Sequence, residues 1–144
     1  MNVRDQAENL RKQMNAFVDH DSTTFAMITS DDTFHEGVDL SYDVRFNDRI
    51  TGDEHFAVLV ICAFEQAHLL QLYRRMKRYC NQLVNVSQYV LVSTAKDESL
   101  QLVQNIIETS ETYLNVNVRF SRSLRDIQDI EDVCHTLVKE RGAP

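Results

Sequence analysis

A chain of 144 residues is long enough to bury one hydrophobic core, and its 43% hydrophobic and 26% charged content is that of a folded globular domain rather than a fibre or a disordered segment. The formal net charge of −7 argues against nonspecific binding to nucleic acid or anionic lipid, since both need clustered Lys and Arg to meet phosphate. Cys62, Cys80 and Cys134 are an odd, widely spaced set that suits reduced thiols; there is no basic-then-apolar leader, and the longest apolar run, Phe56 to Phe64, is too short for a bilayer, so a cytoplasmic protein without membrane insertion is expected.

Residues 3 to 18 carry Val3, Ala7, Leu10, Met14 and Phe17 at helical spacing with polar residues between, which predicts an amphipathic helix. After the polar break from His20 to Thr23, Phe25-Ala26-Met27-Ile28 reads as a short buried strand that Asp31 and Asp32 end. From Val38 to Phe46 apolar and polar residues alternate, the period of a strand with one wet face, expected at a sheet edge. Turn signals at Asn47-Asp48 and Gly52-Asp53 precede the continuous apolar run Phe56 to Cys62, expected to be central.

Residues 65 to 80 predict a helix with Ala67, Leu69, Leu70, Tyr73 and Met76 inward and Arg74, Arg75, Lys77 and Arg78 on a solvated face. Tyr89 to Ser93 is the next strand. Lys96-Asp97-Glu98 opens a helix bearing Leu100, Val103, Ile106, Ile107 and Leu114, with Asn115 near its end. Val116, Val118 and Phe120 make a last strand, and residues 123 to 140 a last helix with Leu124, Ile127, Ile130, Val133 and Leu137 inward. Strands alternating with helices imply right-handed crossovers between parallel strands, hence a three-layer α/β sandwich with a mostly parallel sheet of about five strands.

In such a sheet, ligands bind beyond the carboxyl ends of the strands, which directs attention to the segments after Ile28, Ile61, Val92 and Phe120. A phosphate-cradling loop needs glycines and a lysine, but the chain has only Gly37, Gly52 and Gly142, none followed by lysine. No nucleotide cofactor is expected. Asp31 and Asp32, Thr94 and a basic residue near the end of the last strand resemble the acid pocket of response-regulator receiver domains. The central strand, however, ends in Cys62-Ala63-Phe64 where a receiver presents its acceptor aspartate. The plainer expectation for the two aspartates is a solvated loop or a turn cap. Cys62 is expected to be a structural thiol, and His20, His35, His55, His68 and His135 lack the spacing of a zinc site, so no metal is expected.

The segment Asp5-Gln6-Ala7-Glu8-Asn9-Leu10-Arg11 resembles the DQAxxLR motif that begins the FlhG (YlxH) flagellar regulators, relatives of the MinD/ParA ATPases. In that family the motif activates the flagellar SRP-type GTPase FlhF. The run Tyr89 to Glu98, the helix ending near Tyr113-Leu114 and the strand Val116 to Phe120 look like the family's late strand, helix and strand. Phe56 to Lys77 is similar to the strand and helix before them, without the usual proline-containing turn. The nucleotide half looks deleted between Thr29 and Glu54, and Ser93 stands where members carry a base-reading asparagine.

The resemblance implies an activator helix over residues 1–20 and a MinD-like α/β domain over residues 21–144 without a nucleotide-binding loop. It also implies that Asp5, Gln6, Ala7, Leu10 and Arg11 dock on FlhF, Gln6 reaching toward the catalytic chamber and Leu10 with Met14 buried in a groove. The expectations rank in order: a non-enzymatic regulator of flagellar assembly that binds and stimulates FlhF; a receiver-like interaction module that is not phosphorylated; an enzyme using Asp31, Asp32 or Cys62.

Overall fold

The computed structural model describes residues 23–32, 40–126 and 128–142. The predicted helix of residues 3 to 18, with Asp5, Gln6, Ala7, Leu10, Arg11 and Met14, lies outside the described residues, as do Val38 and Ile127.

Five apolar segments form the strands β1 (Thr24–Thr29), β2 (Asp43–Phe46), β3 (Phe56–Ile61), β4 (Tyr89–Ser93) and β5 (Val118–Ser123). All neighbours pair in parallel, in the order β2-β1-β3-β4-β5, so β3 is central and β2 an edge, as expected. The register places Ala26, Ala57 and Tyr89 in one row and Ile28, Leu59 and Leu91 in the next. Because side chains alternate across a strand, these residues form one face, while Phe25, Met27, Val58, Val60, Val90 and Val92 form the other.

The helices α1 (Gln66–Tyr79) and α2 (Leu100–Leu114) cover the first face with Leu72, Met76, Tyr79, Val103 and Ile106. The helix α3 (Asp129–Gly142) covers the second with Ile130, Val133, Cys134 and Leu137. The result is a three-layer α/β domain with a five-stranded parallel sheet. Among the described residues no helix is long and apolar enough to cross a membrane.

Several boundaries move from their expected places for identifiable reasons. α2 begins at Leu100 rather than at Lys96-Asp97-Glu98, because Ser99 is its N-cap: the Ser99 hydroxyl accepts from the Leu102 N–H at 3.2 Å. Leu100, the first residue of the helix, is 85% exposed. Asn115 closes the helix in the left-handed region, φ 55°, which asparagine tolerates. α3 starts at Asp129, whose carboxylate accepts from the N–H groups of Arg125 and Asp126 and holds a turn where a helix from residue 123 was expected. Val116 is buried just ahead of β5 rather than within it. On α1 the inward face is rotated from the expected one: Leu72 is fully buried, Leu70 is 44% exposed, and Ala67 is exposed.

The connection from β2 to β3 carries the least expected piece of architecture. It passes β1 in only nine residues, 47–55, with one 3-10 turn at Asn47–Arg49, where parallel crossovers ordinarily use a dozen or more residues and a helix. Both ends are fastened to β1. At one end the Asn47 side-chain oxygen accepts from the Thr29 N–H at 3.0 Å while its amide donates to the Thr29 hydroxyl at 2.9 Å, so the side chain replaces the ladder bonds that β2 is too short to make. At the other, the His55 N–H donates to the Thr24 carbonyl at 3.0 Å and His55 Nδ1 accepts from the Thr24 N–H at 3.1 Å.

Between these fastenings lies Glu54, fully buried, its carboxylate accepting from the N–H groups of Thr51 at 2.9 Å and Gly52 at 2.8 Å and from Arg45 at 2.9 Å. Burial pushes this carboxyl up, but the two backbone donors and the guanidinium together hold it below the usual carboxylate value. Gly52 sits at φ +107°, and a side chain there would meet the Gln82 carbonyl oxygen at 3.0 Å.

Candidate functional site

The strand order reverses between β1 and β3, and their carboxyl ends are where an open α/β sheet gathers its functional groups. Ser30 follows β1, and its hydroxyl oxygen accepts from the Cys62 N–H at the end of β3, 2.9 Å away. The same hydroxyl meets Nδ1 of His68, in the first turn of α1, at 3.2 Å. One serine thus ties both strand ends to a helix, and a Ser–His pair stands at the switch point. Ser30 is only 6% exposed, and among the described residues no third group is hydrogen-bonded to His68 to orient it. A nucleophile needs an approachable oxygen and a base held in one tautomer. The pair has neither, and its geometry is that of a fastening.

Asp32 lies beside this pair, 77% exposed, and is ion-paired with Arg75. Arg75 also donates to the Thr29 carbonyl, so its side chain is only 14% exposed. This corrects the solvated face assigned to the whole run Arg74 to Arg78. Arg75 reaches the carboxyl end of β1, whereas Arg74, Lys77 and Arg78 are exposed. Asp32 keeps its expected place in an exposed turn and adds a cationic partner there; the Asp31 carbonyl accepts from the Thr29 hydroxyl at 2.9 Å. Beside Asp32 a cleft of about 450 Å³ is lined, among the described residues, by Val44, Phe46, Asn47, Asp48 and Arg49.

The rest of the acid-pocket resemblance comes together only in part. Thr94 follows β4 and its N–H donates to the Ile61 carbonyl at 2.9 Å, placing it next to the end of β3 as in the expected constellation. The basic residue near the end of β5 does not join it: Arg122 turns toward α3, donating to the Asp129 carbonyl at 3.3 Å and lying 3.9 Å from Asp132. Cys62 occupies the end of β3, half-buried, with its backbone rather than its thiol in the hydrogen-bonded cluster. The buried thiol is Cys134, on α3, pushed up to about 12 by burial and by the charge of Glu131.

Sequence reasoning found Asp31, Asp32, Cys62 and Thr94 but missed Ser30, His68 and Arg75. His68 and Arg75 are seven residues apart on α1, two helical turns, which puts both on the side of the helix that faces β1's end. Among the described residues no group of three or more His, Cys, Asp or Glu is arranged to hold a metal ion. Compared with family models, curated proteins and solved structures, the chain matches none, so its chemistry is read from these residues themselves.

Proposed function

We propose that this protein is a non-enzymatic interaction module of receiver-like architecture that works without phosphorylation, in the cytoplasm. The observation that carries the reading is the all-parallel order 2-1-3-4-5, the doubly wound arrangement that receiver domains share. Cys62 stands at the end of the central strand, where phosphoryl transfer would need a carboxylate, and Asp32 is ion-paired with Arg75. The surface offered to a partner is the carboxyl edge of the sheet, with Asp32, Asp48 and Arg49 around the cleft beside β2. Incubation with acetyl phosphate and magnesium, followed by intact mass measurement, should give no phosphoryl adduct. A stoichiometric adduct, or ester hydrolysis abolished by Ser30→Ala or His68→Ala in a folded protein, overturns the reading.

A second reading rests on the segment Asp5 to Arg11 and its resemblance to the activator motif of the flagellar regulators. In it the chain is a shortened MinD/ParA-like protein of flagellum biogenesis whose first helix binds and stimulates FlhF. The succession β4, α2, β5 agrees with the strand, helix and strand on which the resemblance was extended. Phosphate release by FlhF in the presence of the chain tests it: stimulation that disappears with Gln6→Ala supports this reading, and neither binding nor stimulation overturns it.

A further inference from the structure

The opposite end of the sheet, where the strands begin, is also concave. The loops entering β3 and β4 and the last turn of α3 meet there around a cleft of about 520 Å³, lined by His55, Phe56, Asn85, Ser87 and Arg141. That volume lies within the roughly 300–1,000 Å³ of small-molecule sites. A narrower extension runs to Arg119, which is paired with Glu140 at 2.9 Å.

The groups around this cleft are mostly donors. A backbone N–H only donates, so His55 Nδ1, 3.1 Å from the Thr24 N–H, is an acceptor, and the proton of the neutral ring sits on Nε2. Ser87 adds a hydroxyl, and Asn85 an amide that also donates to the Asp53 carbonyl at 3.4 Å. Arg141 supplies the charge: it lies over the Phe56 ring at 5.9 Å, and among the described residues it forms no ion pair, while Glu140 is engaged with Arg119. The Phe56 ring is itself held by stacking on Phe25, with centroids 5.2 Å apart and planes at 20°, so it offers a fixed apolar surface.

We propose that this cleft binds a small organic anion, a phosphate or carboxylate head on a planar body. Arg141 leaves the Phe56 face to take the head together with the Nε2–H of His55, and the planar body replaces the guanidinium on the ring. The site is independent of the carboxyl edge and of either functional reading above.

Calorimetric titration of the full chain with adenosine monophosphate, benzoate and inorganic phosphate tests it. Saturable binding of one organic anion, tighter than phosphate and weakened about tenfold or more by Arg141→Gln, is the expected result, since a charge-assisted hydrogen bond is lost. The anion that binds identifies the head group. Arg141 is exposed, so the variant should melt with the wild type. No saturation by either organic anion, equal affinity in Arg141→Gln, or phosphate binding as tightly as both overturns the proposal.

Discussion

Replacing Glu54 by glutamine asks whether a buried carboxylate holds the β2–β3 crossover in place. One carboxylate oxygen accepts from Arg45 and from the N–H and hydroxyl of Thr51; the other accepts from the Gly52 N–H. Glutamine can present its single carbonyl oxygen to the first set, but its NH₂ then confronts the Gly52 N–H, donor against donor. One buried donor loses its acceptor, at about 1–3 kcal/mol, and the Arg45 bond loses its charge assistance, at about 1 kcal/mol more. The sum is about 2–4 kcal/mol, a large share of the roughly 5–15 kcal/mol that holds a domain of this kind.

Urea unfolding followed by circular dichroism measures this as a fall in midpoint at unchanged slope. Asp53→Asn touches the same Arg45 from a side chain 74% exposed and should leave the midpoint where it is. The pH dependence has a definite sign. The carboxyl of Glu54 lies lower in the folded chain than in the unfolded one, so its stabilisation is complete above the ordinary glutamate range and fades as pH falls through the lowered folded value. The gap between wild type and Glu54→Gln should therefore narrow on acidification. A midpoint loss worth less than about 0.5 kcal/mol at neutral pH, the size of an ordinary surface change, would refute the reasoning.

Three further outcomes follow from single sites. Among the described residues the buried Tyr89 hydroxyl has no hydrogen-bond partner, and burial pushes it up to about 12, so Tyr89→Phe should leave stability in denaturant unchanged or raise it by up to about 1 kcal/mol; a clear loss would reveal a partner. Cys134 should resist iodoacetamide at neutral pH until the chain is unfolded, whereas half-buried Cys62 and Cys80 label first; the order of modification is read by peptide mass spectrometry. Gly52→Ala should cost about 1–3 kcal/mol in denaturant, because a side chain at that positive φ is strained and has the Gln82 carbonyl against it.

The layers of this fold were legible because the signals that make them are local. Continuous apolar runs at residues 25–28 and 56–61 can be satisfied only by burial on both faces, and a strand of alternating character belongs at an edge. The errors share one origin, side chains that act on distant backbone. Ser99 ends the approach to α2 more firmly than the preceding carboxylates begin a helix. Arg75 reads as one more surface cation until β1 is placed beside it. Ser30 and His68 are 38 positions apart, and nothing in either one's neighbours announces their contact. Glu54 is the extreme case: a carboxylate between Asp53 and His55 reads as a turn residue, and only the crossover's path makes it the most deeply buried acid among the described residues.

The double fastening of that crossover also raises the cost of exchanging the edge strand between copies. Exchange of an edge strand between two copies requires a hinge that can open into a straight linker. Here the only chain between β2 and β3 is nailed to β1 by Asn47 at one end and His55 at the other, with Glu54 between them. To release β2 the molecule must surrender all three anchors at once. A strand of four residues, weak by its own ladder, thus draws its resistance to exchange from the connection rather than from the edge.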